Sequence, residues 1–408
     1  MSLNISRIIR ALLLLSVIFT CPFFFTGCAD SSNQADLIAD EHAFSDQSDT
    51  FSLKDEPFWV PDERGPYDVG VFTTAVVDEN RWEVWGLKYR TLPLEVWYPS
   101  TGYGETNHIY DMIGEVPDWG WTVLRIFYGI GLEKMLAEPT TAIRDAGLIP
   151  QQQFPHPVVI FSHGLTAVRF QNYSLCEHLA SHGFIVVAPD HYGNAVFTNI
   201  PDGSVVLFNP LTTVTSAFDR PIDIEFLVHE LEKMNQDPAN PLAYRLDLEH
   251  IGLTGHSYGG LTAMLGGPML DCIDAIAPIN PGWYGGFFTN FVKPFLLLQS
   301  ELDSIVGIFN PHAKQAWDNS PSDKKIWINL LDGGHYSATD ACLLLPESMQ
   351  TPSTGCTGTM IAPEQANLIT YSYITAFFKS VLTGDQRYDA YLADNHFPDD
   401  IEYTVIWP

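Results

Sequence analysis

The chain has 408 residues, 46% of them hydrophobic and only 17% charged, and its 49 acidic and 20 basic side chains give a formal net charge of -29. That length and apolar content allow one large or two smaller domains with a substantial core, and exclude a disordered chain. The charge repels nucleic-acid phosphates and anionic lipid surfaces, so nucleic-acid partners are not expected and neutral or cationic substrates are favoured.

In chain order, Arg7 and Arg10 precede an apolar run from Ala11 to Phe25. The run is short for a bilayer span and is ordered like the charged and apolar regions of an export signal. It ends in FTGC, Phe25 to Cys28, which resembles a bacterial lipobox with phenylalanine in place of the usual leucine. The resemblance implies a signal peptide over residues 1–27 and a lipid on Cys28, with plain secretion as the alternative. The expectation is therefore an exported protein of the cell envelope, held to a membrane by an N-terminal lipid. Residues 28–56 are polar and acidic without a sustained period and read as a flexible linker. Residues 57–408 read as a single catalytic domain.

From residue 57 onward, YDVGVFTTAVV and LPLEVWYP predict an opening antiparallel pair. Apolar runs at 157–162, 184–189, 250–255, 274–279, 294–299 and 325–331 follow, several continuously hydrophobic, as strands buried on both faces must be. Between them Ile224, Leu227, Val228, Leu231 and Met234 form one stripe of an amphipathic helix. A last helix is predicted from Pro363 to near Gly384. The alternation predicts an α/β fold with a mostly parallel twisted sheet covered by helices on both faces. Residues 100–150 and 192–220 are long connections, read as segments packed on the body, with a lid as the alternative.

The segment Gly255-His256-Ser257-Tyr258-Gly259 fits G-x-S-x-G, in which a tight strand-to-helix turn exposes a serine hydroxyl. A serine needs a base to take its proton and a carboxylate to orient the base, and in an open α/β sheet both should lie at strand C-terminal ends. SELDSIVG after the strand at 294–299 places Asp303 there, with Glu301 as its near competitor. DGGHYS after the next strand places His335 among small residues. The order Ser, acid, His is the one this fold uses. Asp274, at the start of its strand, is a weak rival acid. The HGLTA that ends the strand at 157–162 could present the Leu165 N–H, which with the Tyr258 N–H would make an oxyanion hole. His163 and Asp190 read as structural. Trp283 is a candidate to border the substrate, with core packing as the equal alternative.

Outside the signal and Cys28, four cysteines remain, Cys176, Cys272, Cys342 and Cys356, which allow three pairings in an oxidising compartment. Cys342 and Cys356 flank a Pro-, Ser- and Gly-rich loop and are the expected disulfide. No C-x-x-C or histidine cluster points to a metal, and the expected chemistry needs no cofactor.

Segments including VVIFSHGLTAVRF, EHLASHGFIVVAPDH and RLDLEHIGLTGHSYGG resemble the platelet-activating-factor acetylhydrolase and dienelactone-hydrolase-like branch of the α/β-hydrolases, in order over most of residues 65–385. The resemblance implies an α/β-hydrolase fold and a serine carboxylic-ester hydrolase acting on small-molecule or lipid esters. In it Ser257 is the nucleophile, His335 the base, and the Leu165 and Tyr258 amides the oxyanion hole. Dienelactone hydrolases use cysteine where Ser257 stands, so their substrate is not implied. The acetylhydrolases place their acid in the loop that here reads NPGW, with Asn280 where an aspartate would stand, so the acid moves to Asp303. That arrangement, with LDGGHY carrying the histidine, is similar to cutinase-like polyester hydrolases. An acyltransferase on the same fold, or a catalytically silent binding protein, is the alternative.

Overall fold

The computed structural model describes residues 57–114, 116–128, 136–282, 291–344, 350–352 and 354–408. The continuously apolar runs occupy the middle of an 11-stranded sheet, where both faces are covered. They form β5 (His156–Ser162), β6 (Ile185–Pro189), β9 (Leu246–His256), β10 (Ala275–Ile279), β11 (Phe295–Ser300) and β12 (Lys325–Leu330), which run parallel in the order β6-β5-β9-β10-β11-β12. Every residue of β5, β6, β10 and β11 is buried.

Alternate side chains of these strands feed two cores. Val159, Phe161 and Val186 pack with Leu175 and Leu179 of a helix at Tyr173–Ser181 and with Phe377 and Phe378 of the long helix Pro363–Thr383. On the other face, Val158, Ile160 and Val187 pack with Ile224, Leu227, Val228 and Leu231 of α1 (Ser216–Gln236) and with Leu261 and Met264 of α2 (Tyr258–Met269). The predicted helical stripe is thus the face α1 turns to the sheet. The helix predicted from Pro363 ends where expected, with Gly384 in the left-handed region at φ 67°, but it is not the last: a short helix, Arg387–Leu392, follows it.

The opening pair is longer than its apolar pattern. β1 (Asp68–Glu83) and β2 (Lys88–Ser100) form one antiparallel hairpin. β2 is antiparallel to β6, with Leu94 opposite Pro189, the last residue of β6. Residues of β2 before Leu94, and the end of β1 paired with them, therefore project past the C-terminal edge of the parallel strands.

The connection at 100–150 supplies sheet edge. β3 (Glu105–His108) pairs with β4 (Pro139–Arg144), and β4 pairs with β1. The connection at 192–220 carries a small hairpin, β7 (Phe197–Asn199) with β8 (Val205–Leu207), before α1 begins. A further antiparallel strand, β13 (Ile401–Ile406), closes the edge beside β12. Its burial alternates residue by residue, as one covered face requires, so it lacks the continuous apolar run that marks the central strands.

Candidate active site

Ser257 sits between the end of β9 and the first residue of α2, with φ 56° and ψ -112°, a conformation costly for a residue with a Cβ. The surrounding structure holds it there. The Ser257 N–H donates to Ile279 O at 2.9 Å, and Gly259 allows the turn to press on β5. A Cβ on Gly259 would stand 1.8 Å from the Ser162 carbonyl oxygen, an overlap no side-chain adjustment could relieve.

The hydroxyl so presented meets the residues at the next strand ends. Ser257 Oγ lies 3.0 Å from His335 Nε2, and His335 Nδ1 lies 2.7 Å from Asp303 Oδ2. Asp303 is buried, and its second oxygen accepts the N–H groups of Ile305 at 2.8 Å and Val306 at 2.9 Å. Burial alone would raise its carboxyl, but the neighbouring His335 and these hydrogen bonds outweigh it and hold it below the ordinary aspartate range. A carboxylate fixed in this way accepts the imidazole Nδ1–H, which leaves Nε2 as the acceptor facing the serine.

The rival acids lie elsewhere. Asp274 precedes β10, at the opposite edge of the sheet, and its carboxylate accepts the Ile251 N–H at 2.8 Å. Glu301 is exposed and accepts from the Asp332 N–H at 3.2 Å. Asp190 is paired with buried Arg169 at 2.8 Å, and His163 accepts the His191 N–H at 3.1 Å with its pKa driven far down by burial. Both fill the structural roles expected of them.

The turn after β5 faces the serine. A Cβ placed on Gly164 would be 3.5 Å from Ser257 Cβ. The peptide on either side of Gly164 is clamped: His163 O accepts from Arg220 Nη1 at 2.6 Å, the Gly164 N–H donates to Gln171 Oε1 at 2.7 Å, and Gly164 O accepts from the Ala167 N–H at 3.2 Å. Leu165 N–H donates to no protein acceptor among the described residues. Tyr258 opens α2 directly after the serine, where helix N–H groups point outward at the site. Buried Arg220 lies over the Tyr258 ring at 4.7 Å, and desolvation brings its pKa down to about 9.

The sequence reading did not single out the side chains that tie these parts together. Gln171 Nε2 donates to His256 Nδ1 at 2.8 Å, and His256 Nε2–H donates to the carbonyl of His335 at 2.8 Å. Burial, then the neighbouring His335, lower the His256 pKa to about 3, so it relays these bonds as a neutral ring. Asn280 Nδ2 also donates to His335 O, at 3.1 Å, and to Ser300 Oγ at 3.0 Å. Asn280, which stands where the resemblance implies an acetylhydrolase aspartate, thus helps fix the backbone of His335. His256 was visible as the second residue of G-x-S-x-G; Gln171 belongs to no local pattern.

The Cys342–Cys356 pair forms a disulfide, while Cys176 is a buried thiol outside it. The bridged loop lies against the histidine turn: Tyr336 N–H donates to Thr354 O at 2.9 Å, and a Cβ on Gly334 would stand 2.2 Å from Gly355 Cα. The small residues before His335 therefore admit the loop that buttresses it. Trp283 and Cys28 lie outside the described residues, as do the expected signal and linker.

Residues 55–200 match the family described as "Platelet-activating factor acetylhydrolase, isoform II", and residues 146–266 match "Chlorophyllase". Cutinase 1 of Thermobifida cellulosilytica is 22% identical over 264 residues, covering 64% of this chain and 82% of its own. A cutinase of Thermobifida fusca is likewise 22% identical over 264 residues, which are 64% of this chain and 72% of that one. In three dimensions the chain is similar to a ferulic acid esterase from Streptomyces cinnamoneus, with TM-score 0.64 and 24% identity over 78% of this chain and 91% of the other. The sheet order and this structural likeness agree, and the chain has the α/β-hydrolase fold.

Proposed function

We propose that the protein is a serine hydrolase that cleaves carboxylic esters of lipid-like or otherwise neutral substrates through an acyl-enzyme on Ser257. One observation carries this reading: the unbroken line from Asp303 Oδ2 through the His335 ring to Ser257 Oγ, with hydrogen bonds of 2.7 and 3.0 Å, on a strained turn at the C-terminal edge of the sheet. Cutinases and a ferulic acid esterase among the similar proteins support the same bond class.

In the proposed cycle His335 Nε2 takes the Ser257 proton as Oγ attacks the ester carbonyl. The carbonyl oxygen gains negative charge in front of the Leu165 and Tyr258 N–H groups, which stabilise it more than the neutral ester. The imidazolium, steadied by Asp303, then protonates the leaving alcohol as its C–O bond breaks. Water repeats the sequence on the acyl-enzyme and returns the proton to Ser257.

The proposal extends to location: export, with a lipid on Cys28 and residues 28–56 as a tether to residues 57–408, one catalytic domain. The Cys342–Cys356 disulfide supports an oxidising compartment. Ser257→Ala is expected to abolish fluorophosphonate labelling and lower ester hydrolysis by on the order of 10⁵-fold or more, with circular dichroism unchanged. Labelling that survives in the variant would refute the assignment of the nucleophile.

A further inference from the structure

The hairpin of β1 and β2 ends in the sequence WEVWGLKY, Trp82 to Tyr89, whose Trp85 carbonyl accepts from Tyr192 Oη at 2.6 Å while its large apolar side chains stay exposed. Val84 and Leu87 are 80% and 72% exposed, and Trp82, Trp85 and Tyr89 are exposed beside them. Such a cluster at one tip is unlike the scattered exposed apolar residues of an ordinary surface.

The tip stands at the edge that carries the site. Leu94 is opposite the end of β6, so the six residues back to Lys88 reach roughly 20 Å past that edge at about 3.3 Å each. The hairpin is also anchored to the strand that leads into the oxyanion turn. Arg90 and Arg81 both pair with Asp223, at 2.6 and 2.8 Å, Asp223 bonds His191 Nδ1 at 2.8 Å, and His191 Nε2 bonds Ser162 Oγ at 2.9 Å.

Its charge differs from that of the chain. Residues 78–90 hold three acids, Asp78, Glu79 and Glu83, and three bases, Arg81, Lys88 and Arg90, on a protein of net charge -29. The bases are spoken for: Arg81 by Asp78 and Asp223, Arg90 by Glu83 and Asp223, Lys88 by Asp202. A locally neutral, aromatic and aliphatic tip on an acidic body matches an uncharged interface. It has no basic cluster for anionic headgroups, while Trp and Tyr side chains favour the boundary between headgroups and acyl chains.

We infer that this hairpin inserts into a zwitterionic lipid surface and holds the Ser257 edge against it, so that the ester enters from the lipid phase. The inference rests on the ester-hydrolase reading only for what Ser257 does with the lipid. The described chain begins at the other edge, where Pro61 O and Glu63 O accept from His178 and His182. Residues 29–56, at up to about 3.4 Å each, would reach on the order of 90 Å, enough for either edge to face a membrane.

The test uses the full chain carrying Ser257→Ala, bound to phosphatidylcholine vesicles whose acyl chains are brominated, which quench only inserted tryptophans. Quenching is expected in the parent, lost in Val84→Asp with Leu87→Asp, where both hairpin tryptophans remain, and lost in Trp82→Phe with Trp85→Phe. Absence of quenching in the parent, or its persistence in either double variant, would overturn the inference. So would a concentration-dependent dimer in sedimentation that the Asp variant abolishes, since the tip would then be covered by a second copy. With Ser257 restored, the Asp variant is expected to hydrolyse a water-soluble acetyl ester at the parent rate. A parent inactive on soluble esters whose alanine form is quenched would refute the ester reading and leave the docking surface standing.

Discussion

Replacing Gln171 by leucine removes both bonds of the relay while nearly keeping the volume. The Gly164 N–H loses its acceptor at 2.7 Å and His256 Nδ1 its donor at 2.8 Å, in a region where Gln171, His256 and Gly164 are all buried. Each buried polar group left unpaired costs about 1–3 kcal/mol, so the variant should lose roughly 2–6 kcal/mol of stability. Catalysis should suffer separately. The turn before Leu165 then keeps only its bonds from Arg220 and the Ala167 N–H and is held less firmly; misaiming one proposed oxyanion donor is bounded by the 10²–10³-fold loss of removing one, so about 10- to 100-fold in kcat is expected, with KM nearly constant. Gln171→Glu keeps an acceptor for the Gly164 N–H but ionised it offers no donor to His256, so it should recover most of kcat if the oxyanion side dominates. Steady-state kinetics on a soluble ester, alongside urea unfolding, separate the two effects. A leucine variant that loses stability but keeps kcat would show that the relay holds the fold together without aiming the turn.

Asp303→Asn should lower kcat by on the order of 10⁴-fold by disturbing the tautomer and orientation of His335, whereas Asp274→Asn should leave kcat within a few-fold; the reverse ranking in the same assay would overturn the choice of acid. Gly259→Ala should prevent accumulation of folded protein, because its methyl would lie 1.8 Å from the Ser162 carbonyl, whereas Gly164→Ala, with its nearest atom at 3.3 Å, should fold; recovery of equal soluble amounts would contradict the packing of the turn. Burial raises the Asp340 carboxyl to about 7 despite the hydrogen bond from the Ser174 N–H, so the folded chain keeps a proton that the unfolded chain releases from about pH 4 upward. The resulting stabilisation is complete below pH 4 and is lost as pH rises through 7, an amount on the order of 4 kcal/mol. Asp340→Asn should remove that slope, read as the difference between the two unfolding free energies from pH 4 to 8; parallel curves would refute it.

The residues at the strand ends were legible because strand polarity can be read from order alone. Asp303 follows its apolar run and Asp274 precedes its own, and in a parallel sheet those positions are opposite edges; the structure separates them accordingly. The edge strands were not legible for the same physical reason that the central ones were. β13 and β4 mix covered and open positions along the strand, and β3 is short, so none of them produces the continuous run that double burial demands. The relay was hidden more deeply. Its bonds join residues 85 and 79 positions apart, and each is a single polar contact between unlike side chains, so neither periodicity nor spacing records it. A buried amide or a neutral histidine is also chemically unremarkable until its partners are known. Two chains could therefore share the G-x-S-x-G turn, the acid and the histidine in the same order and still differ in how firmly the oxyanion turn and the base are tied to each other. Gln171 and Asn280 are where such a difference would lie in this protein, because together with His256 they bond the Gly164 amide and the His335 carbonyl to β9 and β11.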